Sequence, residues 1–218
     1  MKIGIIGAGN IGGTLARRLT ELGHEVAVAN SRGPDTLAEL ARESGARAVW
    51  AAEAADGAEL VVVTIPLGRI PLLPEGALDG VRPGAPIVDT CNYYPARDGR
   101  IEAIEGGATE SRWVSDQLGY PVVKAFNNIY ARHLLEGGKP AGLPGRRALP
   151  VAGDDPVAKG VVMALVDELG FDPVDAGSID ESWRQQPGTP VYTADLDAAG
   201  VRRALAEASP ERQERFRA

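Results

Sequence analysis

Short apolar runs alternate along the chain with segments in which apolar residues recur every three or four positions. Runs such as Leu60-Val61-Val62-Val63 are rich in β-branched residues, which favours buried parallel strands. The intervening segments have the spacing of amphipathic helices, as Ile11, Leu15 and Leu19 illustrate. The pattern predicts strands at residues 3–6, 25–29, 46–50, 60–66, 86–91, 121–127, 148–152 and 172–176, and helices at 11–22, 36–42, 53–57, 110–118, 156–169 and 197–208.

This alternation is typical of βαβ units, so we expect an α/β fold of the Rossmann type. The fold would be a doubly wound, mostly parallel sheet with a smaller C-terminal extension. Residues 1–128 would form the nucleotide-binding domain, and residues 129–218 would pack on the sheet and close a second-substrate site. A stretch rich in glycine, proline and arginine at 137–147 is the best candidate for a boundary or a mobile loop.

A glycine pattern follows the first predicted strand directly. The sequence Gly7-Ala8-Gly9-Asn10-Ile11-Gly12 has the spacing G-x-G-x-x-G. In dinucleotide-binding folds the first glycine permits a tight turn, the second lets backbone approach the pyrophosphate, and the third lets helix and strand pack closely. Free amides at the helix start would hold the phosphates. We therefore expect a dinucleotide here; the alternative is a turn that uses glycine for steric reasons alone.

The end of the second predicted strand indicates which dinucleotide. Sites for NAD usually carry Asp or Glu there, whereas this chain has Asn30-Ser31-Arg32. No carboxylate repels a 2′-phosphate, Ser31 can donate a hydrogen bond, and Arg32 can donate a bidentate, charge-assisted one. The sequence favours NADP(H), with an ordinary solvated arginine as the alternative for Arg32.

Composition excludes several classes of function. The formal net charge is −7 over 218 residues, which argues against a nucleic-acid or anionic-membrane surface, and no apolar run reaches membrane-spanning length. The single cysteine, Cys91, allows no internal disulfide and suits a cytoplasmic protein. Together with His24 and His133 it has no metal-ligand spacing, so we expect no metal site.

No Ser-His-Asp or Cys-His arrangement is present, and we assign no catalytic residue. We expect His24 to be exposed in a turn and Cys91 to be a buried apolar filler. Asn92 and Asn127 follow strands at the predicted carboxyl edge and are candidates for contact with a carboxamide or a second substrate. Residues 178–190 are either a lid over the site or a packed surface loop, and Phe126, Tyr93 and Tyr94 either flank a planar ring or belong to the core.

Two further features concern the helix predicted at 156–169. Asp154 and Asp155 precede Pro156, and capping of this helix is favoured over a catalytic carboxylate pair. Gly160 lies inside the helix, where glycine costs about 1 kcal/mol relative to alanine, which suggests close packing at that point.

With these residues in view, the chain resembles the NADP oxidoreductases typified by the deazaflavin (coenzyme F420):NADP oxidoreductases. The same unit forms the reductase domain of the membrane metalloreductases. The likeness covers nearly the whole length and rests on the glycine pattern, on Asn30-Ser31-Arg32 and on the segments 64–66, 123–127, 151–155 and 175–177. The segment 125–130 is closer to the metalloreductase version than to the histidine-containing pattern of the deazaflavin enzymes.

The resemblance implies a cofactor site and an activity. Ala8, Gly9, Asn10 and Ile11 would contact the pyrophosphate, Ser31 and Arg32 the 2′-phosphate, and the nicotinamide half would meet Ile65, Pro66, Leu67, Asn92 and Ala125. It implies a homodimer that transfers hydride between NADP(H) and a small acceptor, either coenzyme F420 or a flavin. The alternative is an NADP(H)-binding sensor or docking module without turnover of its own. A hydroxyacid dehydrogenase or imine reductase is a weaker reading, because those families add a long helical domain.

Overall fold

The computed structural model describes residues 1–218, which form eight strands, nine α-helices and four short 3-10 helices. The strands are β1 Lys2–Ile6, β2 Glu25–Ala29, β3 Arg47–Val49, β4 Leu60–Val63, β5 Ile87–Asp89, β6 Val122–Lys124, β7 Ala148–Val151 and β8 Asp172–Asp175. The helices are α1 Asn10–Glu21, α2 Ala38–Ser44, α3 Ala51–Ala55, α4 Pro95–Asp98, α5 Glu102–Glu105, α6 Glu110–Leu118, α7 Ala131–Glu136, α8 Pro156–Glu168 and α9 Ala198–Ala206. The 3-10 helices are Pro34–Leu37, Leu67–Leu72, Ile179–Gln185 and Glu214–Phe216.

Six strands form one parallel sheet in the order β3-β2-β1-β4-β5-β6. The order reverses between β1 and β4, which is the arrangement of a doubly wound Rossmann fold. The predicted fold class is therefore confirmed. All six strands end at the same edge of the sheet, and the loops that follow them share that edge.

The last two strands do not extend the main sheet. β7 and β8 pair in parallel with each other, and a single antiparallel bridge between Lys124 and Ala152 joins them to β6. The expected edge strand at 172–176 is thus present, but in a separate two-stranded sheet that carries α9 on it.

Alternating residues of the main sheet face two separate cores. Ile3 and Ile5 belong to a cluster of 25 buried residues, whereas Ile6 belongs to one of 19 on the opposite face. The 25-residue cluster also contains Val162 and Leu165 of α8, so the C-terminal part covers one face of the sheet. A third cluster of eight residues lies beneath α9.

The loop 137–147, expected to be a boundary or a mobile loop, is tied to the rest of the chain. The Lys139 amide donates to the Gly170 carbonyl at 2.9 Å, and the buried Arg146 pairs with Asp167 at 2.8 Å and also with Asp172. As a boundary it stays a prediction. Gly160 is exposed, and a Cβ built on it meets no atom within 4 Å. The close packing expected at Gly160 is therefore wrong.

The capping prediction for α8 is confirmed. The Asp155 carboxylate accepts hydrogen bonds from the amides of Val157 and Ala158 at 2.8 and 3.4 Å, and Pro156 is the first helical residue. Asp154 instead accepts from Arg112 and from the Ile179 amide. None of the helices is both long enough and apolar enough to span a bilayer.

Candidate functional site

The carboxyl edge of the parallel sheet brings together the loops that carry the predicted site residues. Register pairs Ile6 with Ala29 and with Val63, so the loops after β1, β2 and β4 begin side by side. Neighbouring strands lie about 4.8 Å apart. The loops after β5 and β6 continue the row, because Asp89 is paired with Lys124. A ligand extended along this edge would meet all five loops in turn.

The glycine pattern has the geometry expected of its first and third positions. Gly7 has φ +116°, and a Cβ there would lie 2.1 Å from the carbonyl oxygen of Thr64. A Cβ on Gly12 would lie 1.8 Å from the carbonyl oxygen of Gly7. Both are buried, and they let α1 start close against β1 and β4. These two glycines therefore contribute to a site by allowing the backbone to take this path, not by contacting a ligand through side chains.

The start of α1 has the features of an anion site. Gly9 is its N-cap and has no side chain there, and a Cβ on it would meet nothing within 4 Å. The amides of Asn10, Ile11 and Gly12 find no acceptor within the chain, and the first turn contains no acidic residue. The helix dipole adds partial positive charge at these amides. With Ala8 half-buried and Gly9 and Asn10 exposed, the amides are open to a phosphate.

The loop after β2 has a fixed conformation and presents an arginine that forms no ion pair. The Asn30 side chain accepts from the Arg32 amide at 2.9 Å and donates to the Thr36 hydroxyl at 2.9 Å, which fixes the turn. Ser31 and Arg32 are exposed, and Arg32 takes part in none of the ion pairs. Next to them, Gly33 has φ +93° and packs against the ring of Trp50, so the turn cannot easily move. The residues present fit a phosphate on the adenosine ribose.

The loop after β4 exposes two of its three predicted site residues. Pro66 is exposed and Ile65 half-buried, but Leu67 is completely buried, main chain included. The buried Asp98 carboxylate accepts from the amides of Gly68 and Tyr94, which ties this loop to the one after β5. Burial alone would raise the pKa of Asp98, but hydrogen bonds from Arg97 and these two amides hold it below its ordinary value.

Asn92 and Asn127, predicted from separate strands, are in direct contact. The Asn92 side chain donates to the Asn127 carbonyl at 2.9 Å, and the Asn127 side chain donates to Oδ1 of Asn92 at 3.0 Å and to the Gln185 carbonyl at 2.7 Å. Oδ1 of Asn127 accepts from Gln185. Asn127 is 5% exposed and fully engaged, whereas Asn92 stays half-exposed. Asn127 therefore orients Asn92, and the adjoining Ala125 is completely buried.

A buried ion pair lies beneath these loops and was not foreseen from the sequence. Nζ of Lys124 is 3.1 Å from Oδ2 of Asp89, both side chains are completely buried, and Lys124 also donates to the Cys91 carbonyl. Ser111 donates to Asp89 at 2.7 Å, and the Cys91 amide does so at 2.8 Å. The pair thus fixes the backbone that leads to Asn92. A charged residue ending each of two neighbouring apolar strands was the signal available in the sequence.

Cys91 and the histidines contribute no reactive group. Burial, with the nearby Asp89 carboxylate, raises the pKa of the Cys91 thiol well above its ordinary value, so the filler interpretation is confirmed. The expectation that His24 is exposed is wrong: its side chain is 8% exposed and contacts Glu168 at 3.2 Å. It precedes β2 and so lies at the amino edge, opposite the site. His133 pairs with Asp195 at 2.9 Å.

Residues 178–190 are packed against the site through one side chain. Gln185, at the end of the 3-10 helix Ile179–Gln185, is completely buried and bonded to Asn127. Trp183 is half-buried beneath the guanidinium of Arg184 at 4.9 Å. A cavity of about 1080 Å³ is lined by residues from 104–109, 180–190 and 207–217 and contains none of the glycine-pattern residues. Motion of this segment over the site stays a prediction.

Comparison with known proteins concerns the family and the fold of this chain. A sequence profile of the family described as "NADP oxidoreductase coenzyme F420-dependent" matches residues 2–93. The protein SMa0349 of Sinorhizobium meliloti is 33% identical in sequence with a TM-score of 0.75, covering 90% of this chain and 95% of that one. A candidate F420-dependent NADP reductase of Arthrobacter sp. FB24 is 29% identical with a TM-score of 0.69, covering 82% of this chain and 86% of that one.

Among curated relatives, the metalloreductase STEAP3 of Rattus norvegicus is 32% identical over 178 residues. The match covers 82% of this chain but 34% of STEAP3, and the chain spans less than half the length of the curated relatives it matches. Solved structures below 25% identity, such as a 3-hydroxyisobutyrate dehydrogenase of Mycobacterium tuberculosis, share the fold alone. The profile match and the full-length likeness together show that the chain belongs to the coenzyme F420-dependent NADP oxidoreductase family, a family of NAD(P)-dependent oxidoreductases.

Proposed function

We propose that this protein is an NADPH-dependent oxidoreductase that transfers hydride between NADP(H) and a flavin-like or deazaflavin acceptor. One observation carries the proposal: free amides at the start of α1 stand beside an unpaired Arg32, with no carboxylate at the end of β2. That arrangement suits a dinucleotide with a phosphate on its adenosine ribose. The family supports the redox activity, and its described cofactor supports the acceptor class.

In this proposal the residues of the chain bind NADP(H) and orient its nicotinamide ring. The amides of residues 8–12 hold the pyrophosphate, and Ser31 and Arg32 hold the 2′-phosphate. Ile65, Pro66 and Asn92 place the nicotinamide, the completely buried Leu67 and Ala125 support these loops from within, and Asn127 keeps Asn92 in position. Bound NADPH supplies a hydride at the nicotinamide ring. Transfer between two rings requires alignment and exclusion of water more than a protein acid or base, so the lack of a catalytic triad is consistent with it.

Substitution of Arg32 tests the cofactor assignment. A hydrogen-bonded guanidinium–phosphate pair contributes about 1.5–3 kcal/mol, so Arg32→Ala should weaken NADPH binding about 10- to 150-fold and leave NADH binding unchanged. Arg202→Ala is the matched control, because Arg202 is an exposed arginine on α9. Calorimetric titration measures both affinities. Equal affinity of the native protein for NADH and NADPH, or an Arg32→Ala variant that binds NADPH normally, would contradict the assignment.

A panel of acceptors tests the activity. Loss of NADPH absorbance should be followed with coenzyme F420, FMN, FAD, a ferric chelate, a quinone and an imine. Turnover with a flavin or deazaflavin above the others is the expected result. Firm NADPH binding without turnover of any acceptor would favour a sensor or docking module. From the family resemblance we also propose a homodimer in the cytoplasm, which light scattering and cell fractionation can test.

We also propose that the two parts of the chain have different roles. Residues 1–128 would bind the dinucleotide, and residues 129–218 would close the second-substrate site. Gln185, which reaches from the second part to Asn127 of the first, supports this assignment.

A further inference from the structure

A small aromatic cavity opens beside the nicotinamide end of the proposed cofactor site. It has a volume of about 400 Å³, and four of its eight lining residues are aromatic: Tyr94, Tyr130, Tyr192 and Phe216. Tyr94 is two residues beyond Asn92, and Tyr130 is three beyond Asn127. Two or three residues span at most about 7–11 Å, so the cavity adjoins the paired asparagines. Neither Tyr94 nor Tyr130 belongs to a hydrophobic core, since Tyr94 is half-buried and Tyr130 is 54% exposed.

The rings are held in place by contacts with one another and with His133. The hydroxyl groups of Tyr94 and Tyr192 are hydrogen-bonded to each other. Tyr130 packs edge-on against His133 with ring centroids 5.5 Å apart, and Phe216 lies 6.0 Å from Tyr94. Such a frame offers flat apolar faces with little freedom to collapse, which suits a planar ring.

The charge of the cavity is unusual for this chain. The protein carries a formal net charge of −7, yet the lining contains one arginine, Arg215, and no carboxylate. Nε of Arg215 donates to the Gln213 side chain at 3.1 Å, and its guanidinium lies over the Phe216 ring at 4.8 Å, but no carboxylate pairs with it. A ligand with an anionic substituent would supply that missing partner.

The backbone next to the cavity is strained. Phe126 and Thr193 are the two non-glycine residues with positive φ, at 59° and 57°. Thr193 lines the cavity, and its amide donates to the Asn128 carbonyl at 2.9 Å, two residues beyond Phe126. Strain of this kind persists where the surroundings impose it and clusters at ligand sites.

We infer that this cavity is the acceptor subsite and that it takes a planar flavin-type ring bearing a phosphate, stacked on Tyr130 and Phe216 with the phosphate on Arg215. The inference rests on the proposed function and adds to it where the acceptor lies and which group on the acceptor is recognised. FMN and coenzyme F420 share this chemistry, whereas riboflavin has the ring without the phosphate.

Fluorescence titration with FMN, riboflavin and coenzyme F420 tests the inference. Loss of one stacking ring should weaken all three ligands about 5- to 30-fold in Tyr130→Ala and Phe216→Ala, and Tyr130→Phe should bind normally. Arg215→Ala should weaken FMN and coenzyme F420 about 10-fold and leave riboflavin unchanged. Tyr120→Ala, before β6 at the opposite edge of the sheet, is the control. The tighter of FMN and coenzyme F420 identifies the natural ring type.

The same variants separate this inference from the proposed function. NADPH affinity should be unchanged in all of them. Failure of all three ring ligands to bind the native protein, or normal binding by Tyr130→Ala and Arg215→Ala, overturns the inference even if NADPH is oxidised. The expected pattern of ligand affinities supports the cavity even if NADPH does not bind, in which case the proposed function fails by itself.

Discussion

The ion pair of Lys124 and Asp89 shows how two side chains can fix a whole edge of the sheet. Both are completely buried at the ends of neighbouring strands, and each also holds the backbone of Cys91. A buried pair offsets the cost of desolvation only while both partners are present. Its structural effect is to hold the loop that presents Asn92.

Removal of one partner should therefore be costly. Lys124→Met leaves the Asp89 carboxylate buried without a counter-charge, and we expect a loss of about 3–5 kcal/mol in the free energy of unfolding. Urea denaturation measures it. Arg82→Ala, which breaks the exposed pair with Glu59, is the control and should change stability little. A Lys124→Met protein as stable as the native one would show that the buried pair is dispensable.

Asp98 is a second buried charged residue that is expected to contribute to stability, in a way that depends on pH. Its folded-state pKa is lowered, so its stabilisation is present above its unfolded value of 3.8 and is lost as pH falls through the folded pKa. The difference in stability between the native protein and Asp98→Asn should be constant near neutral pH and shrink below about pH 3.8. Denaturation at a series of pH values measures that difference in stability. A difference that grows on acidification would contradict the prediction.

At the scale of elements, two glycines in helices have opposite roles. Gly160 lies on the exposed face of α8 with space around it, whereas Gly12 packs α1 against the Gly7 carbonyl. Alanine is the better helix former by about 1 kcal/mol, provided its methyl group has room.

The two substitutions should thus diverge. Gly160→Ala should raise stability by about 0.5–1 kcal/mol, and Gly12→Ala should lower it and disturb the start of α1. Thermal unfolding, combined with NADPH titration, detects both effects. A destabilised Gly160→Ala would mean that α8 packs against something on that face.

At the scale of the molecule, the two parts of the chain share a core. Val162 and Leu165 of α8 belong to the same 25-residue cluster as Ile3 and Ile5 of β1. Removing the second part would expose that face of the sheet, so neither part has a complete core of its own.

Unfolding should accordingly occur as one transition. We expect calorimetry to give equal calorimetric and van't Hoff enthalpies, and fluorescence from Trp50, Trp113 and Trp183 to change at the same temperature as the helical circular dichroism. Two resolved transitions would instead show that residues 1–128 and 129–218 unfold independently.

Sequence reasoning succeeded where local signals suffice. The doubly wound, mostly parallel sheet follows from alternating βαβ units, the tight turn at Gly7 and the close packing at Gly12 from the spacing of glycines, and the cap of α8 from Asp155-Pro156. It failed where the environment of a residue depends on contacts with residues that are distant in the sequence. Nothing near Gly160 in the sequence shows that its face is uncovered, and nothing near His24 shows that Glu168 lies beside it. The aromatic cavity is assembled from four separate segments and has no local pattern.

The sealed thiol of Cys91 has a practical consequence. At 3% exposure and with its pKa raised, it should resist maleimide reagents while the protein is folded. A cysteine introduced at an exposed position, such as Val157, would therefore be the single point of attachment for a dye or spin label. Labelling therefore does not require substitution of Cys91 beforehand. The rate at which Cys91 itself reacts would report how often the protein unfolds.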